Sequence, residues 1–505
     1  MSFTLMIFLL AFLPAYLIVH TLVPGARGKN IVLLVFSCFF YASGGIPYLL
    51  LLLADALLGF MAGLRLEKTK HRRWLVLPVI VWLCLLGVFK YAGFFGRNLG
   101  ALFGDPVMVH LALPMGISFY TFKLISYLSD VWHGRCPAEK SLLSFLIYVA
   151  TFHQVLQGPI VRYPDMKDAL HERTISREAL ISGLVRFSTG LFKKAVLADY
   201  CGLLADTFLP LDGQIGTVPT AGLWLGSVLF TMQIYLDFSA YSDMALALGT
   251  MSGFAYPENF NYPYTAVSVR DFWRRWHISL SSFFRDYVYI PLGGSRVSPV
   301  RTVFNLLVVW LLTGFWHGAD WNFLLWGIYY FCFIVLENTI HRRRLQKADA
   351  SIQVLSKNTL TSALPATKSQ APGAHSRQKK ILKSFPARLY TLFVVNLGWV
   401  IFRFTDFKEL GAVLSGLFTG AEAGGTSAFV GMTLKNNIFF LFFALLCCSP
   451  LFLRLGQAVR ARYENGNLST GAWYGLRLAL TIICFVCALI AIAGSTFRPF
   501  LYNTF

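Results

Sequence analysis

Two histidines stand where an ionisable side chain needs a reason. His317 occurs in LLTGFWHGADWNFLLWG, between apolar runs that each have the length of half or all of a membrane helix. Gly314 and Gly318 flank it, and Asp320 and Asn322 follow, so the helix is expected to break here and open backbone polar groups toward a protein-lined cavity. Imidazole near neutral pH suits a general base that takes the proton of an acceptor hydroxyl while its oxygen attacks a thioester or acyl-enzyme carbonyl. The competing account is an intramembrane His that hydrogen-bonds a neighbouring helix. His277, in DFWRRWHISLSSFF, is the second candidate. Ser279, Ser281 and Ser282 lie beside it without a G-x-S-x-G elbow, so helix-face packing accounts for them better than a covalent serine does. Neither His belongs to an H-E-x-x-H or similar ligand cluster, and no metal site is expected.

Asp237 and Asp243, in QIYLDFSAYSDMALALG, are carboxylates on a strongly apolar segment. Six positions apart, they point in different directions around a helix and form no paired acid and base. Orienting a His, pairing with an arginine of 270–301, or relaying protons all remain open to them. The interval 255–301 combines six arginines with eleven aromatic residues, Pro257, Pro263, Pro291 and Gly293-Gly294, which excludes an ordinary crossing helix. It reads as an amphipathic or re-entrant region at the cytoplasmic interface. A helix over 269–284 would gather Phe272, Trp276, Ser279 and Phe283 on one side and Arg270, Arg274 and His277 on another. With Arg275 and Arg285, such a face could meet the phosphates of a ligand, since guanidinium groups make planar two-point contacts. Snorkelling to the headgroups is the rival account of each arginine.

The elements that must carry these residues follow from composition. The 505 residues are 56% hydrophobic, 16% aromatic and only 13% charged, more apolar surface than a soluble core could bury. Apolar runs recur along the chain, as at 46–64, 74–89, 111–128, 143–160, 221–236, 303–315, 322–336, 389–404, 437–455 and 476–492, and predict about eleven to thirteen crossings or partial crossings. The run 3–19 lacks a basic leader and a cleavage-site pattern, and is expected to be the first membrane helix. The formal charge of +20 sits in short clusters between apolar runs, the pattern of positive-inside topology and contact with anionic lipid rather than nucleic acid. Seven of the nine cysteines lie in apolar runs without partners at zinc spacing and read as packing residues. The polar, basic segment 342–383 is expected to be a mobile cytoplasmic loop within an otherwise single membrane domain. Neither a repeat nor a pair of inverted halves is visible, which weighs against transport.

Several motifs together carry a resemblance: LPMGISFYTFKLISYLSDVW at 113–132, QGPIVR at 157–162, QIYLDFSAYSDMALALG at 233–249, PENFNYPY at 257–264, FWRRWHISLSSFFRDYVYIPLGG at 272–294, LTGFWHGADWNFLLWG at 312–327 and NLGWVIFRF at 396–404. The chain resembles the membrane-bound O-acyltransferase family, in the bacterial branch that contains the alginate O-acetylation membrane subunit. The resemblance implies an all-α polytopic ring of helices around a thin centre, with a funnel on the cytoplasmic side and a tunnel outward. It also implies that His317 is the catalytic residue and His277 a second characteristic position. Similar proteins work with an extracytoplasmic partner that completes transfer to alginate, cellulose or peptidoglycan, and D-alanine-transferring relatives act on teichoic acids. Where relatives often carry an F-P-Q motif this chain has Phe152, His153 and Gln154, so that His153 is either a local variation, the favoured reading, or a substrate-specific polar group.

Residues and resemblance together predict a multi-pass enzyme of the bacterial inner membrane. It would move acetyl from cytoplasmic acetyl-CoA or another thioester to hydroxyls of an exported or cell-wall polysaccharide, directly or through a relay protein, with no resident cofactor. D-alanyl transfer, acylation of a lipid or protein, a flippase or transporter for an acylated substrate, and a non-catalytic export scaffold stay open beside it. Thioester cleavage separates the enzymes from the last two.

Overall fold

The computed structural model describes residues 1–104, 111–211, 213–358, 374–419, 427–495 and 498–501. Its described residues are helices joined by short turns, with no strand among them. Among the described residues, eight helices are long and apolar enough to cross a membrane: Ile46–Thr69, Arg73–Leu102, Thr220–Met251, Pro299–His317, Trp321–Arg344, Phe385–Arg403, Ala428–Cys447 and Thr470–Gly494. The chain is therefore a multi-pass, all-α membrane protein. Other apolar runs of the sequence fall on shorter helices, among them Phe8–Leu22 and Ile117–Trp132.

Burial sorts the long helices. The apolar stretch of Thr220–Met251 is 78% buried, against 11% for Ala428–Cys447 and 17% for Thr470–Gly494. The first is the central pillar, apolar on all sides because protein surrounds it; the others present Phe439, Phe442, Ile482, Ile483 and Ile490 outward, as lipid-facing helices do. Core side chains form two large groups. One joins the N-terminal helices to 117–170, and the other joins 197–238 to 394–417. Between them a small aromatic group, Phe119, Phe122, Phe283, Phe284 and Trp316, ties Ile117–Trp132 to the 278–284 turn and to the residue preceding His317.

Two local features differ from the sequence expectation. The helix expected over 269–284 is two pieces, Val269–Trp273 and Ile278–Phe284, with His277 in the left-handed region at φ 43° between them. The segment 342–383, expected as a loop, continues one helix to Asn358 and begins the next at Ala374, as its Ala, Lys, Gln and Arg content favours; 359–373 lies outside the described residues.

Candidate active site

The helix carrying His317 starts where Ser298 accepts from the Arg301 N–H and Pro299 takes the first turn. It ends on His317 itself; Gly318 is extended, and the next helix begins at Trp321. The break expected from the glycines is therefore present. These two helices cross at backbone contact, because a Cβ on Gly314 would lie 2.3 Å from the Phe323 carbonyl and one on Gly327 would lie 2.4 Å from that of Trp310. His317 is buried within a box of rings, 4.9 Å from Trp316, 5.0 Å from Trp326 and 5.4 Å from Phe402 between centroids.

Two cavities meet at this imidazole. The first, about 230 Å³, is lined by Arg270, Arg274 and Arg285, by apolar side chains such as Leu306 and Trp310, and by both His277 and His317. The second, about 280 Å³, is lined by Pro114, Met115, Lys90, Gln157, Trp316 and again His317. Gly116 shapes its wall: at φ +70° its missing Cβ would fall 1.8 Å from the Val155 carbonyl, an approach no other residue allows.

His277 owes its placement to Asn259. The Asn259 side-chain oxygen accepts from the Ser279 N–H at 3.1 Å and the Ser279 hydroxyl at 2.9 Å, and lies 3.2 Å from His277 Nδ1. An oxygen in that position fixes the proton on Nδ1 and leaves the lone pair on Nε2. Burial pushes the imidazole down to about 3, so the ring is neutral. Sequence reasoning missed Asn259. The only signal was its place in PENFNYPY, one of the motifs that carry the resemblance.

The arginines divide. Arg270, Arg274 and Arg285 line the first cavity, whereas Arg275 is absorbed by Asp271 at 3.0 Å and lies outside its lining. Arg285 also contacts Asp286, whose carboxylate accepts from Arg162 of the QGPIVR motif at 2.6 Å. Burial alone would raise the Asp286 carboxyl, but the two guanidinium groups outweigh it and hold the group below the usual range.

The acids serve elsewhere. Asp237 pairs with Lys194 at 2.7 Å, and Asp243 with Lys193 at 2.6 Å and Arg186 at 2.8 Å, so their cations come from 186–194 and not from the arginines of 270–301. Asp320 pairs with Arg97 at 3.0 Å, and Asn322 donates to the Ile401 and Phe402 carbonyls. His153 is buried against the Tyr256 hydroxyl, 3.1 Å from Nδ1, outside the lining of both cavities.

Residues 137–349 match the family model described as MBOAT, membrane-bound O-acyltransferase family. The chain is 42% identical to a probable alginate O-acetylase of Azotobacter vinelandii over 70% of this chain and 72% of that protein. A probable alginate O-acetylase of Pseudomonas putida is 33% identical over the full length of both. A peptidoglycan O-acetyltransferase of Helicobacter pylori is 31% identical over 81% of this chain and 78% of its own.

Proposed function

The chain belongs to the membrane-bound O-acyltransferase family, and on that premise we propose that it moves an acetyl group from a cytoplasmic thioester to hydroxyls of an exported or cell-wall polysaccharide, with His317 as general base. It is a membrane-embedded acyltransferase; the donor, acceptor and base are the proposal. The observation that carries it is the sharing of one imidazole by two cavities.

The first cavity belongs to the donor. Its arginines lie in the basic stretch 270–301, which positive-inside topology assigns to the cytoplasmic side of a bacterial inner membrane. Arg270, Arg274 and Arg285 face the phosphates of acetyl-CoA, and the apolar wall beyond them receives its pantetheine arm. From the second cavity the acceptor hydroxyl reaches His317, which takes its proton as the oxygen bonds to the thioester carbonyl carbon. The tetrahedral intermediate then collapses, the carbon–sulfur bond breaks, and the thiolate leaves on the cytoplasmic side with the proton returned by His317. The acceptor is the polymer itself or a hydroxyl of an extracytoplasmic protein that relays the acetyl group to it. Acetyl is favoured over D-alanyl because the relatives named above are O-acetylating proteins.

The test is transfer of labelled acetyl from acetyl-CoA by the protein in liposomes, with candidate polymer supplied. Native protein should give labelled product, and His317→Ala should abolish both product and thioester cleavage while inserting normally. Full transfer by a folded His317→Ala protein would overturn the assignment of the base.

A further inference from the structure

We propose that Lys90 and Tyr91 are positioning residues for His317, two consecutive side chains of a neighbouring helix that hold the broken end of the helix carrying the base. The inference rests on the reading of His317 given above.

A helix that stops inside a membrane leaves its last carbonyls without intrahelical donors, and no bulk water replaces them. Here those carbonyls are met from the Arg73–Leu102 helix. The Tyr91 hydroxyl donates to the Phe315 carbonyl at 2.7 Å, and the Lys90 ammonium donates to the Trp316 carbonyl and lies 3.4 Å from that of His317. The Tyr91 ring also stacks on Phe315, with centroids 3.9 Å apart and planes within 8°. Residues Gly87–Tyr91 form a wider, π-helical turn, a local irregularity that recurs at functional sites and that here accompanies two adjacent side chains reaching one helix end.

The grip continues two turns further along the same helix, on the far side of the break. Arg97 pairs with Asp320 at 3.0 Å, and Asn98 accepts from the Trp321 indole N–H at 2.9 Å. Residues 90 and 91 thus hold the chain before Gly318, and 97 and 98 hold it after. A cation at a helix C-terminus is favoured by the aligned peptide dipoles, which gives an intramembrane lysine a reason to be there. Lys90 also lines the second cavity and lies 5.7 Å from the centre of the Trp316 ring, so it fixes the base from the acceptor side.

The experiment compares Lys90→Met, Lys90→Arg, Tyr91→Phe and His317→Ala in the liposome assay, with acetyl-CoA as donor and thermal unfolding measured alongside. Lys90→Met keeps the length and apolar volume of the side chain but removes the donor. It should lower kcat about 10- to 100-fold, the penalty of a catalytic group displaced by about an ångström, with KM for acetyl-CoA within about twofold of native. Lys90→Arg, which the adjoining cavity has room for, should restore most of kcat, and Tyr91→Phe should give a smaller loss than Lys90→Met. Native kcat in Lys90→Met beside an inactive His317→Ala overturns the positioning role and leaves the base intact. A Lys90→Met loss shared by kcat, KM and unfolding temperature, and unrelieved in Lys90→Arg, overturns it in favour of general stability. An active His317→Ala overturns the reading of the base and the clamp with it.

Discussion

The Asn259 side-chain oxygen lies 3.2 Å from His277 Nδ1 while accepting both the N–H and the hydroxyl of Ser279, so one amide oxygen organises a left-handed residue and the serine two positions after it. Asn259→Ala leaves up to three buried donors without an acceptor, at about 1–3 kcal/mol each, and frees the imidazole to rotate. Acyl transfer should fall about 10- to 100-fold, as when another orienting partner of a functional histidine is removed. Asn259→Asp should behave differently. Its carboxylate keeps the acceptor and stabilises the imidazolium, which raises the His277 pKa from its depressed value. Because the neutral ring is the working form, activity should then be lost from the acid side, and the acidic limb of kcat/KM should move to higher pH. A profile that superimposes on that of the native protein would show that His277 does not titrate into the reaction.

The division among the arginines predicts a division among their variants. Arg274→Ala and Arg270→Ala remove charges that line the first cavity and should raise KM for acetyl-CoA several-fold, at about 1.4 kcal/mol per tenfold, with less effect at high salt. Arg275→Ala removes a side chain already bound by Asp271 and should leave KM where it is. Equal effects from Arg274 and Arg275 would mean that the phosphates sit elsewhere.

How much of this was open to reading from the residues differs by feature. The break at His317 was legible because two glycines and a polar pair interrupt an apolar run, and the arginine-rich interface was legible from composition. The broken helix at 274–277 was not. Helical periodicity cannot announce a left-handed histidine, which exists here because Asn259, eighteen positions upstream, captures Ser279 and His277. The partners of the acids were not legible, because Lys193 and Lys194 lie in an otherwise apolar stretch that does not show which helix they face, and their π-helical turn directs both toward the central helix. Lys90 directly follows the apolar run 74–89, where a lone cation reads as the end of the run and not as a partner for a distant helix.

The Lys194–Asp237 pair should prove structural. Both side chains are 2% exposed, and Lys194 is shared with Asp199 at 2.7 Å. Lys194→Met strands two carboxylates in the interior and should cost about 3–5 kcal/mol, read as a lower unfolding temperature in detergent. Lys194→Met with Asp237→Leu should recover part of that loss, since an apolar pair of similar volume replaces a buried ionic one. Activity per folded molecule should stay near native in the double variant, because Asp237 lines neither cavity. A folded double variant without activity would return Asp237 to the catalytic machinery.

The crossing of the two helices around His317 sets the last prediction. A methyl group at Gly327 would sit 2.4 Å from the Trp310 carbonyl and 3.6 Å from the Gly314 Cα, so it meets backbone that cannot rotate away. Gly327→Ala must part the helices by a fraction of an ångström to an ångström, and the helix pushed away at Trp310 and Gly314 is the one that ends on His317. Transfer should drop about 10- to 100-fold while the protein still inserts and elutes as one species. Gly411→Ala is the matched control: its added methyl meets nothing within 4 Å, and alanine gains about 0.5–1 kcal/mol over glycine in a helix interior, so activity should be unchanged and stability equal or higher. If Gly327→Ala were as active as Gly411→Ala, the helix crossing would not be what fixes the base between its two cavities.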